Sequence, residues 1–397
     1  MKGFHKGIRR FCTILAGLVF FGAGMLKLMD PVGAGLVVDE YFKFFHTPWL
    51  GFASKGVGVV MALIETLTGA ALLAGVWRKT VALITSVLTL GFTLLTLILV
   101  IYNPEMDCGC FGEAIHLTHL QTFLKNIALC AVCAIAFLPF KDFGETRKAK
   151  AVAFSIVAAS VLVFTAYELV SLPFIDFSEF APGTELAADE DDEEADNGLT
   201  LNADSDTREE YYVIYEKNGQ EGAFTLDNLP DSTWTFVRAE MIGRSISDYN
   251  GSTPLLYISD NDGEYHNEIL TEGKVMVLSI HDAKRYKSYD KAEKFLAEAR
   301  EAGFNAIVVS RQPLLELDSY MSDYKKVITL NRSNGGATFL DNGEVIRKWP
   351  ARSLPDSEAL QKAINKNSAE MMVSSTARGR ISFQGFVLYS LAILLIL

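Results

Sequence analysis

Two cysteines separated by a single glycine, Cys108 and Cys110, are the residues whose type and spacing most directly indicate chemistry. A disulfide between them would close a very small ring, which relaxed disulfide geometry disfavours, so the bond would be strained and readily reduced. Gly109 can adopt the unusual backbone angles that so tight a turn requires, and Gly112 follows closely enough to loosen it. The spacing therefore favours a redox-active pair over a structural crosslink.

Two other interpretations of this pair remain open. Thiolates and imidazoles bind soft metals, and His116 and His119 follow near enough in the sequence to join Cys108 and Cys110 in such a site. This spacing is not among the usual zinc patterns, however, and we expect no metal. Alternatively, the two thiols are inert or are bonded to cysteines elsewhere in the chain.

Long apolar segments on both sides of the pair predict a membrane domain. Half of the 397 residues are hydrophobic and 21% are charged, and the long apolar segments are concentrated before residue 172. A bilayer core of ~30 Å requires about 20 apolar residues per helix. Five segments meet this requirement, whereas a sixth candidate at 381–397 is shorter. The five are residues 11–29, 52–76, 80–102, 120–140 and 151–172.

The basic residues predict the orientation of these helices. Lysines and arginines collect in residues 1–10, 77–79 and 141–150, which lie on one side of the membrane if the helices alternate. Positively charged loops are retained in the cytoplasm. We therefore expect a multi-pass protein of the bacterial inner membrane with a cytoplasmic N-terminus. The segment 103–119 and the later soluble domain are then periplasmic, where cysteines normally become oxidised.

Three motifs resemble those of a known membrane-protein family. CGCFG at 108–112 follows the third predicted helix, FGAGMLKLMDP at 21–31 ends the first, and LIETLTGAALLAGVW at 63–77 lies in the second. Together they resemble the MauE-like branch of the DoxX/DoxD proteins, which are small four-helix membrane modules. The resemblance covers roughly residues 8–140.

This resemblance implies a role in making or maintaining disulfides. MauE-type proteins are associated with the maturation of a disulfide-rich subunit of methylamine dehydrogenase, and DoxX relatives with membrane-bound oxidoreductases. The implied process is methylamine metabolism, and the implied partner is an extracytoplasmic protein. A fifth helix and a large soluble domain distinguish this chain from a plain MauE protein. It is more similar to bacterial proteins in which such a module is fused to a thioredoxin-like tail.

Two charged residues lie inside the predicted membrane helices. Glu65 is in the middle of an apolar helix, where an unpaired carboxylate is costly, and Lys27 near the outer end of the first helix is the expected partner. The pair is interpreted either as an interhelical ion pair or as a site that handles protons or binds a quinone headgroup. Quinone is thus the one candidate cofactor.

Cys130 and Cys133 are three residues apart in the fourth predicted helix and therefore share a face. They are candidates for an electron relay, by analogy with the Cys-x-x-Cys in the fourth helix of vitamin K epoxide reductase. Their depth argues against easy exchange with Cys108 and Cys110, and the alternative is that they are small buried residues at a helix contact. Cys12 has no visible partner.

The soluble part of the chain begins with a dense acidic run, which we interpret as a solvated linker. A strand, an Asn-Gly turn and a second strand follow from Tyr211 and predict a small β element. From Leu255 the pattern predicts a hairpin, a buried strand, an amphipathic helix, a second buried strand and a closing hairpin. This order is similar to a thioredoxin fold, and the opening hairpin resembles that of peroxiredoxin-like and TlpA-like proteins.

The catalytic position of a thioredoxin fold is not preserved. The chain reads HDAKR at 281–285, where such proteins carry Cys-x-x-Cys, and no cysteine follows Cys133. We therefore expect a docking domain for a partner protein, with His281 as a less favoured replacement for the active residue. The formal net charge of −12 and the lack of a basic stripe argue against nucleic-acid binding.

The predicted architecture is an α-helical membrane bundle, embedded in lipid, with an α/β thioredoxin-like soluble domain. One functional hypothesis is a thiol-disulfide oxidoreductase, or a subunit of one, that acts on extracytoplasmic partners through Cys108 and Cys110. The alternative is a non-catalytic, membrane-anchored assembly or docking protein. A transporter is a weaker hypothesis, because the sequence shows no inverted repeat. The predicted segments are 1–145 (four-helix module), 146–176 (fifth helix), 177–210 (acidic linker), 211–250 (β element), 251–372 (thioredoxin-like domain) and 381–397 (candidate sixth helix).

Overall fold

The computed structural model describes residues 2–104, 106–138, 144–186, 211–217, 220–225, 235–241 and 255–396. Its N-terminal region is helical. The helices are α1 (Lys2–Met29), α2 (Pro31–Phe44), α3 (Ser54–Ala74), α4 (Arg78–Tyr102), α5 (His119–Phe137) and α6 (Lys148–Glu168), and a short 3-10 helix (Pro48–Ala53) precedes α3.

Among the described residues, five helical segments are long and apolar enough to cross a membrane. They match the five predicted spans, so the predicted multi-pass membrane domain is confirmed. The boundaries differ by a few residues, because helix ends depend on capping as well as on apolar composition. The segments are Lys6–Met29, Pro48–Ala74, Arg78–Tyr102, His119–Phe137 and Lys148–Glu168.

Small residues allow α1 and α3 to pack closely. A Cβ atom at Gly69 would lie 2.3 Å from the backbone nitrogen of Phe21, and one at Gly24 would lie 2.2 Å from Thr66 Oγ1. Without a hydrophobic driving force between helices in lipid, such close backbone contact is a main source of association. This contact brings Lys27 of α1 opposite Glu65 of α3.

Helix α2 was not anticipated from the sequence. Its local signals are nevertheless clear, since Pro31 occupies the first position and the Asp30 side chain accepts a hydrogen bond from Gly33 N. The helix lies between the first two spans and packs against α3 and the loop after α4. That loop contains a four-residue strand, β1 (Cys110–Glu113).

Three strands, β2 (Tyr211–Lys217), β3 (Gln220–Thr225) and β4 (Thr235–Met241), form an antiparallel sheet in the order β3-β2-β4. The predicted pairing of the first two strands is confirmed, and the third strand was not anticipated. The Asn-Gly turn predicted at 218–219 lies outside the described residues.

A second, mixed sheet forms the C-terminal domain, a name we use for residues 255–365. Its strands follow the order β7-β6-β5-β8-β9, with β5 parallel to β6 and antiparallel to β8. The predicted central strands, amphipathic helix and closing hairpin are all observed. The elements are α7 (Glu268–Thr271), β5 (Lys274–Ile280), α8 (Tyr289–Ala302), β6 (Asn305–Ser310), β7 (Tyr320–Met321), α9 (Tyr324–Leu330), β8 (Gly336–Asp341), β9 (Glu344–Trp349) and α10 (Ser357–Asn365).

The opening hairpin predicted from Leu255 is reduced to a single bridge between Ser259 and Tyr265. The Asp260 carboxylate accepts hydrogen bonds from the backbone of Asp262 and Glu264. The side chain of Asp260 thus bonds to backbone groups that a longer hairpin would pair between its two strands. The β5-α8-β6 unit followed by the β8-β9 hairpin has the strand order expected of a thioredoxin fold, and that fold assignment stays a prediction.

The last helix, α11 (Ser368–Ile396), leaves the C-terminal domain and returns along the bundle beside α6. Phe386 stacks on Phe164 with ring centroids 4.9 Å apart, and Leu394 is fully buried in the bundle core. The candidate sixth helix at 381–397 falls in the second half of α11. Its crossing of the membrane stays a prediction.

Candidate functional site

The CGCFG turn, residues 108–112, lies between α4 and α5 at the end of the bundle near Asp30. Gly109 and Gly112 have φ angles of +60° and +62°, a region that L side chains rarely adopt. A Cβ at Gly109 would also lie 2.3 Å from Val37 Cγ1 of α2. The expected conformational role of both glycines is therefore observed.

Cys108 is paired with an imidazole. Its Sγ lies 2.9 Å from His119 Nδ1, while His119 Nε2 lies 2.9 Å from the carbonyl oxygen of Pro104. A carbonyl oxygen can only accept, so Nε2 carries the ring proton and donates it. Nδ1 is then free to accept the proton of the Cys108 thiol. A thiol, a base and a group that orients the base are the arrangement of an activated nucleophile.

The two cysteines of the turn differ in exposure. Cys108 is 8% exposed, Cys110 is half-buried, and both are free thiols, as are the other three cysteines of the chain. Burial raises the pKa of the Cys108 thiol, the charge of Asp107 raises it further, and the Thr122 hydroxyl lowers it. Its raised pKa favours the protonated thiol of Cys108.

A tyrosine fixes the backbone of the turn. The hydroxyl of Tyr41 in α2 donates a hydrogen bond of 3.0 Å to the carbonyl oxygen of Cys108. Burial raises the pKa of this hydroxyl, and the nearby Cys108 and Cys110 raise it further. Tyr41 thus remains a neutral donor at physiological pH, and α2 holds the turn from the side opposite α5.

The second histidine of the turn region is directed to a different partner. His116 Nδ1 lies 3.3 Å from Asp107, which raises the pKa of His116 and lowers that of Asp107. His116 and His119 therefore do not converge on the two thiols. In the part of the chain that the structure describes, the one group of three metal-type ligands within 4.8 Å of each other is Asp260, Glu264 and His266, far along the sequence.

A small cavity of about 10 Å³, room for about one water molecule, lies beside the two cysteines. Its lining includes polar groups that surround the sulfur atoms. They are Asp107, His116 and Thr122, together with Cys108 and Cys110 themselves.

Cys130 and Cys133 contact threonines of α4. Their sulfur atoms lie 3.3 Å from Thr93 Oγ1 and 3.8 Å from Thr89 Oγ1. Each threonine hydroxyl already donates to a carbonyl one turn earlier, so each thiol is the donor and is protonated. Cys130 is also eleven residues beyond His119, about 16 Å along the helix. These contacts favour the packing interpretation over the relay.

A polar stripe on α5 continues from the thiol site into the bundle. Asn126 donates hydrogen bonds to the Phe92 carbonyl and to Thr96 Oγ1 of α4. Thr122 lies between Asn126 and the turn, and its buried hydroxyl has no hydrogen-bond partner that meets full geometric criteria among the described residues. Cys12, in α1, is buried in the same apolar cluster as Cys133.

The predicted pairing of Lys27 and Glu65 is observed. Lys27 Nζ lies 2.8 Å from both carboxylate oxygens, and the side chain of Glu65 is 4% exposed. Lys27 also lies 5.7 Å from the centre of the Phe92 ring and directly below Gly112. Glu65 engages two of the three ammonium hydrogens of Lys27, and the binding of a quinone headgroup here stays a prediction.

Arg332 of the C-terminal domain contacts the bundle beside the turn. Its Nε lies 3.0 Å from Asp30 Oδ2, and its Nη2 contacts Glu113 Oε2. Burial acts to lower the pKa of Arg332, but the two carboxylates raise it more, so the guanidinium stays charged. The sequence carried no signal for this contact, because the partners are 219 and 302 residues away.

Further ion pairs join the C-terminal domain to the rest of the chain. Lys325 pairs with Glu40 of α2 at 2.8 Å. Lys326 and Lys348 pair with Glu179 and Asp176, in the segment that follows α6, at 2.8 and 2.6 Å. The cysteine-free domain is thus docked directly over the turn end of the bundle.

His281 lies at this docked face. Both of its ring nitrogens are buried and lack hydrogen-bond partners among the described residues. Burial lowers the pKa of His281 to about 4, and the cations Lys55 and Arg332 lower it further, while Asp282 opposes them. A neutral imidazole without a proton partner does not support His281 as a replacement active residue.

His119 is the functional residue that the sequence left as a metal-ligand alternative. Thr118 and Gln121 form a capping box, in which each side chain bonds to the backbone of the other residue. This signal marks His119 as the first residue of α5 and so places it at the end of the helix that adjoins the loop.

The N-terminal region matches one known family. Residues 6–139, about a third of the chain, match the family described as methylamine utilisation protein MauE. Residues 209–242 match the domain of unknown function DUF8463. No curated protein and no solved structure matches the chain.

Proposed function

We propose that this membrane protein is a thiol-disulfide redox protein that acts through Cys108 and Cys110 on extracytoplasmic protein partners. The observation that carries the proposal is the pairing of Cys108 Sγ with His119 Nδ1, whose other nitrogen is held by Pro104. Thiol-disulfide exchange requires a thiolate, and this geometry provides a base for forming it at the buried sulfur.

The exchange begins when Cys108 gives its proton to His119 Nδ1. The Cys108 thiolate attacks one sulfur of a partner's disulfide, so that a bond forms between the two proteins and the partner's own bond breaks. The departing sulfur takes the electron pair and receives the proton from His119. One partner thiol has then been released.

Cys110 completes the cycle. Its sulfur attacks Cys108 Sγ, the intermolecular disulfide breaks, and the second partner sulfur leaves as a thiol with the proton of Cys110. The partner's disulfide has been reduced by two electrons and the Cys108/Cys110 pair has been oxidised. The reverse sequence introduces a disulfide into a dithiol partner, and a second thiol-disulfide partner of opposite redox state restores the starting pair.

We infer from the charge distribution that the partner lies outside the cytoplasm. Arg9, Arg78 and Lys148 belong to the end of the bundle opposite the CGCFG turn, where Arg9 donates to the carbonyl of Ala136. Because basic ends are retained in the cytoplasm, the turn and the C-terminal domain face the periplasm of a bacterial inner membrane.

The similarity to MauE supports the proposal without naming the partner. The family is named for methylamine utilisation, and a role in that process is one setting for disulfide exchange by this chain. The C-terminal domain, which we take to be thioredoxin-like, carries no cysteine and so takes part by docking and not by exchange.

A non-catalytic docking protein is the second candidate. It is favoured by the burial of Cys108 and by the ion pairs that hold the C-terminal domain over the turn. In that case replacing both turn cysteines by serine would leave the cellular phenotype unchanged. A loss of phenotype in this double variant would exclude a purely structural turn.

Trapping of mixed disulfides tests the redox proposal directly. In intact cells, Cys110→Ser should accumulate a disulfide between Cys108 and a partner, because the resolving sulfur is missing. Cys108→Ser should accumulate much less, since the base His119 pairs with Cys108 and, in the described part of the chain, no base is bonded to Cys110. A Cys12→Ser variant, altered in the bundle core, is the matched control and should behave as the unaltered protein.

The redox state of the pair provides the complementary measurement. Alkylation with a mass-tagging reagent should show both oxidised and reduced Cys108/Cys110, with the ratio moving after mild reductant. If the two thiols remain in one state under all conditions and no mixed disulfide forms, the redox proposal is wrong and the docking protein is the better account.

A further inference from the structure

Arg332 of the C-terminal domain contacts two carboxylates beside the thiol site, those of Asp30 and Glu113. Arg332 is buried, with 7% of the residue exposed. Its guanidinium contacts Asp30 and Glu113, and its Nη1 donates a hydrogen bond of 3.2 Å to Thr329 Oγ1. Thr329 belongs to the same domain and fixes the direction of the guanidinium plane. An arginine held in this way is a rigid fork for two carboxylates.

Glu113 connects Arg332 to Cys110 through the backbone of one short strand. The four-residue strand β1 begins at Cys110 and ends at Glu113, so fixing the carboxylate limits the movement of the backbone that carries the sulfur. The strand packs against α1 and α2. The position of Cys110 therefore depends on a residue of another domain.

Asp30 connects Arg332 to Cys108 through helix α2. The same carboxylate that accepts from Arg332 caps the first turn of α2 through Gly33 N. Helix α2 carries Tyr41, whose hydroxyl holds the Cys108 carbonyl, and Val37, which packs on Gly109. One guanidinium thus supports both halves of the turn.

We propose that Arg332 is a positioning residue for the thiol pair: it holds the CGCFG turn in the dithiol arrangement, and the cysteine-free C-terminal domain is thereby part of the redox site. This inference rests on the proposed function. Closing a disulfide across one residue requires the turn to deform, and the Arg332 contacts oppose that deformation. Removing them favours the disulfide form relative to the dithiol form.

A glutathione redox titration of the full-length protein in lipid nanodiscs tests this inference, with the Cys108/Cys110 state read by alkylation and peptide mass spectrometry. Arg332→Gln should shift the exchange equilibrium at least tenfold toward the disulfide, which is about 30 mV for a two-electron couple. Arg332→Lys keeps the charge but loses the fork, and should shift the equilibrium less.

Two further variants separate positioning from docking and from folding. Glu113→Gln weakens the contact on the turn while leaving Arg332 paired with Asp30, and should shift the equilibrium in the same direction even if Arg332→Gln does not fold. Lys326→Gln removes another ion pair of the same domain, with Glu179 in the segment after α6, while leaving both partners of Arg332 in place, and should titrate as the unaltered protein.

The outcomes are distinguishable. If the unaltered pair titrates but the Arg332 and Glu113 variants titrate identically to it, the positioning role is wrong while the proposed function stands. An equal shift in Lys326→Gln would also overturn it, because general docking would then be sufficient. If the unaltered pair does not titrate at all, the proposed function fails first.

Discussion

The sulfur of Cys108 and the Nδ1 atom of His119 lie 2.9 Å apart, although Cys108 is in the first half of the loop and His119 begins the following helix. The ring of His119 is held by the carbonyl of Pro104, on the far side of the same loop. The loop therefore folds back on itself and places a base beside its buried thiol. This relationship determines what the site can do.

Removal of the base should slow the reaction of Cys108. His119→Ala is expected to lower its exchange rate with a small disulfide by about 100-fold, the usual size of a positioned base. The measurement is the release of 2-nitro-5-thiobenzoate from an aromatic disulfide in a Cys110→Ser background. His116→Ala, which removes the contact with Asp107 and leaves His119 in place, should change the rate by no more than a few-fold. Equal effects of the two histidines would contradict the assigned base.

The pH dependence of alkylation should report the buried thiol. Because burial raises the pKa of Cys108, its thiolate forms at higher pH than that of an ordinary cysteine. The rate of alkylation of Cys108 by iodoacetamide should therefore continue to rise with pH beyond the range where a free cysteine levels off. A plateau already reached below pH 7 would instead indicate a preformed thiolate-imidazolium pair.

The cysteines of α5 should be dispensable for redox cycling. Cys130→Ala together with Cys133→Ala removes two thiol-threonine hydrogen bonds, which should cost about 1 kcal/mol each in stability. The oxidised fraction of Cys108/Cys110 in cells should not change. Accumulation of the pair in one redox state in this variant would restore the relay interpretation.

Removing one partner of the intramembrane ion pair between Lys27 and Glu65 should destabilise the protein. Glu65→Ala leaves the ammonium of Lys27 buried without its carboxylate, with an expected loss of about 3–5 kcal/mol. The double variant Lys27→Met, Glu65→Leu should recover most of the thermal stability measured in detergent. If the recovered variant is folded but its Cys108/Cys110 pair no longer cycles, the ion pair handles protons and is not merely structural.

His281 should make the docked C-terminal domain sensitive to acid. Its folded pKa of about 4 lies below the value of about 6.5 for an exposed histidine. The unfolded chain therefore takes up a proton first, and the contribution of neutral His281 is present above pH 6.5 and is lost as the pH falls toward 4. The resulting decrease in the free energy of unfolding approaches about 3 kcal/mol.

His281→Leu should remove this part of the pH dependence. Thermal unfolding of the full-length protein at pH 7 and at pH 4.5 measures it, and the variant should lose less stability between the two values than the unaltered protein. An unchanged difference would show that the acid sensitivity arises elsewhere, for example at Asp176, whose pKa is lowered by the neighbouring Lys348.

Much of the local structure could be predicted because its signals are local. Apolar length marked the spans, and strands such as β5 and β6 are apolar runs between turns. The Asn342-Gly343 turn of the closing hairpin has two positive φ angles, as an Asn-Gly pair in a two-residue hairpin turn requires. Helix α2 was missed, although Asp30 and Pro31 carried its signal, because it is a short connection between two long apolar segments.

The sequence by itself determined a five-span bundle with its basic residues at one end, a glycine-flanked pair of thiols at the other, and a cysteine-free β-rich domain. Composition and short-range backbone preferences are sufficient for each of these. Only the tertiary structure decided that His119 and not His116 meets Cys108, that Cys130 and Cys133 bond to threonines, and that Arg332 reaches Glu113. These contacts depend on how separate helices and domains pack, and no local pattern encodes the distance between them.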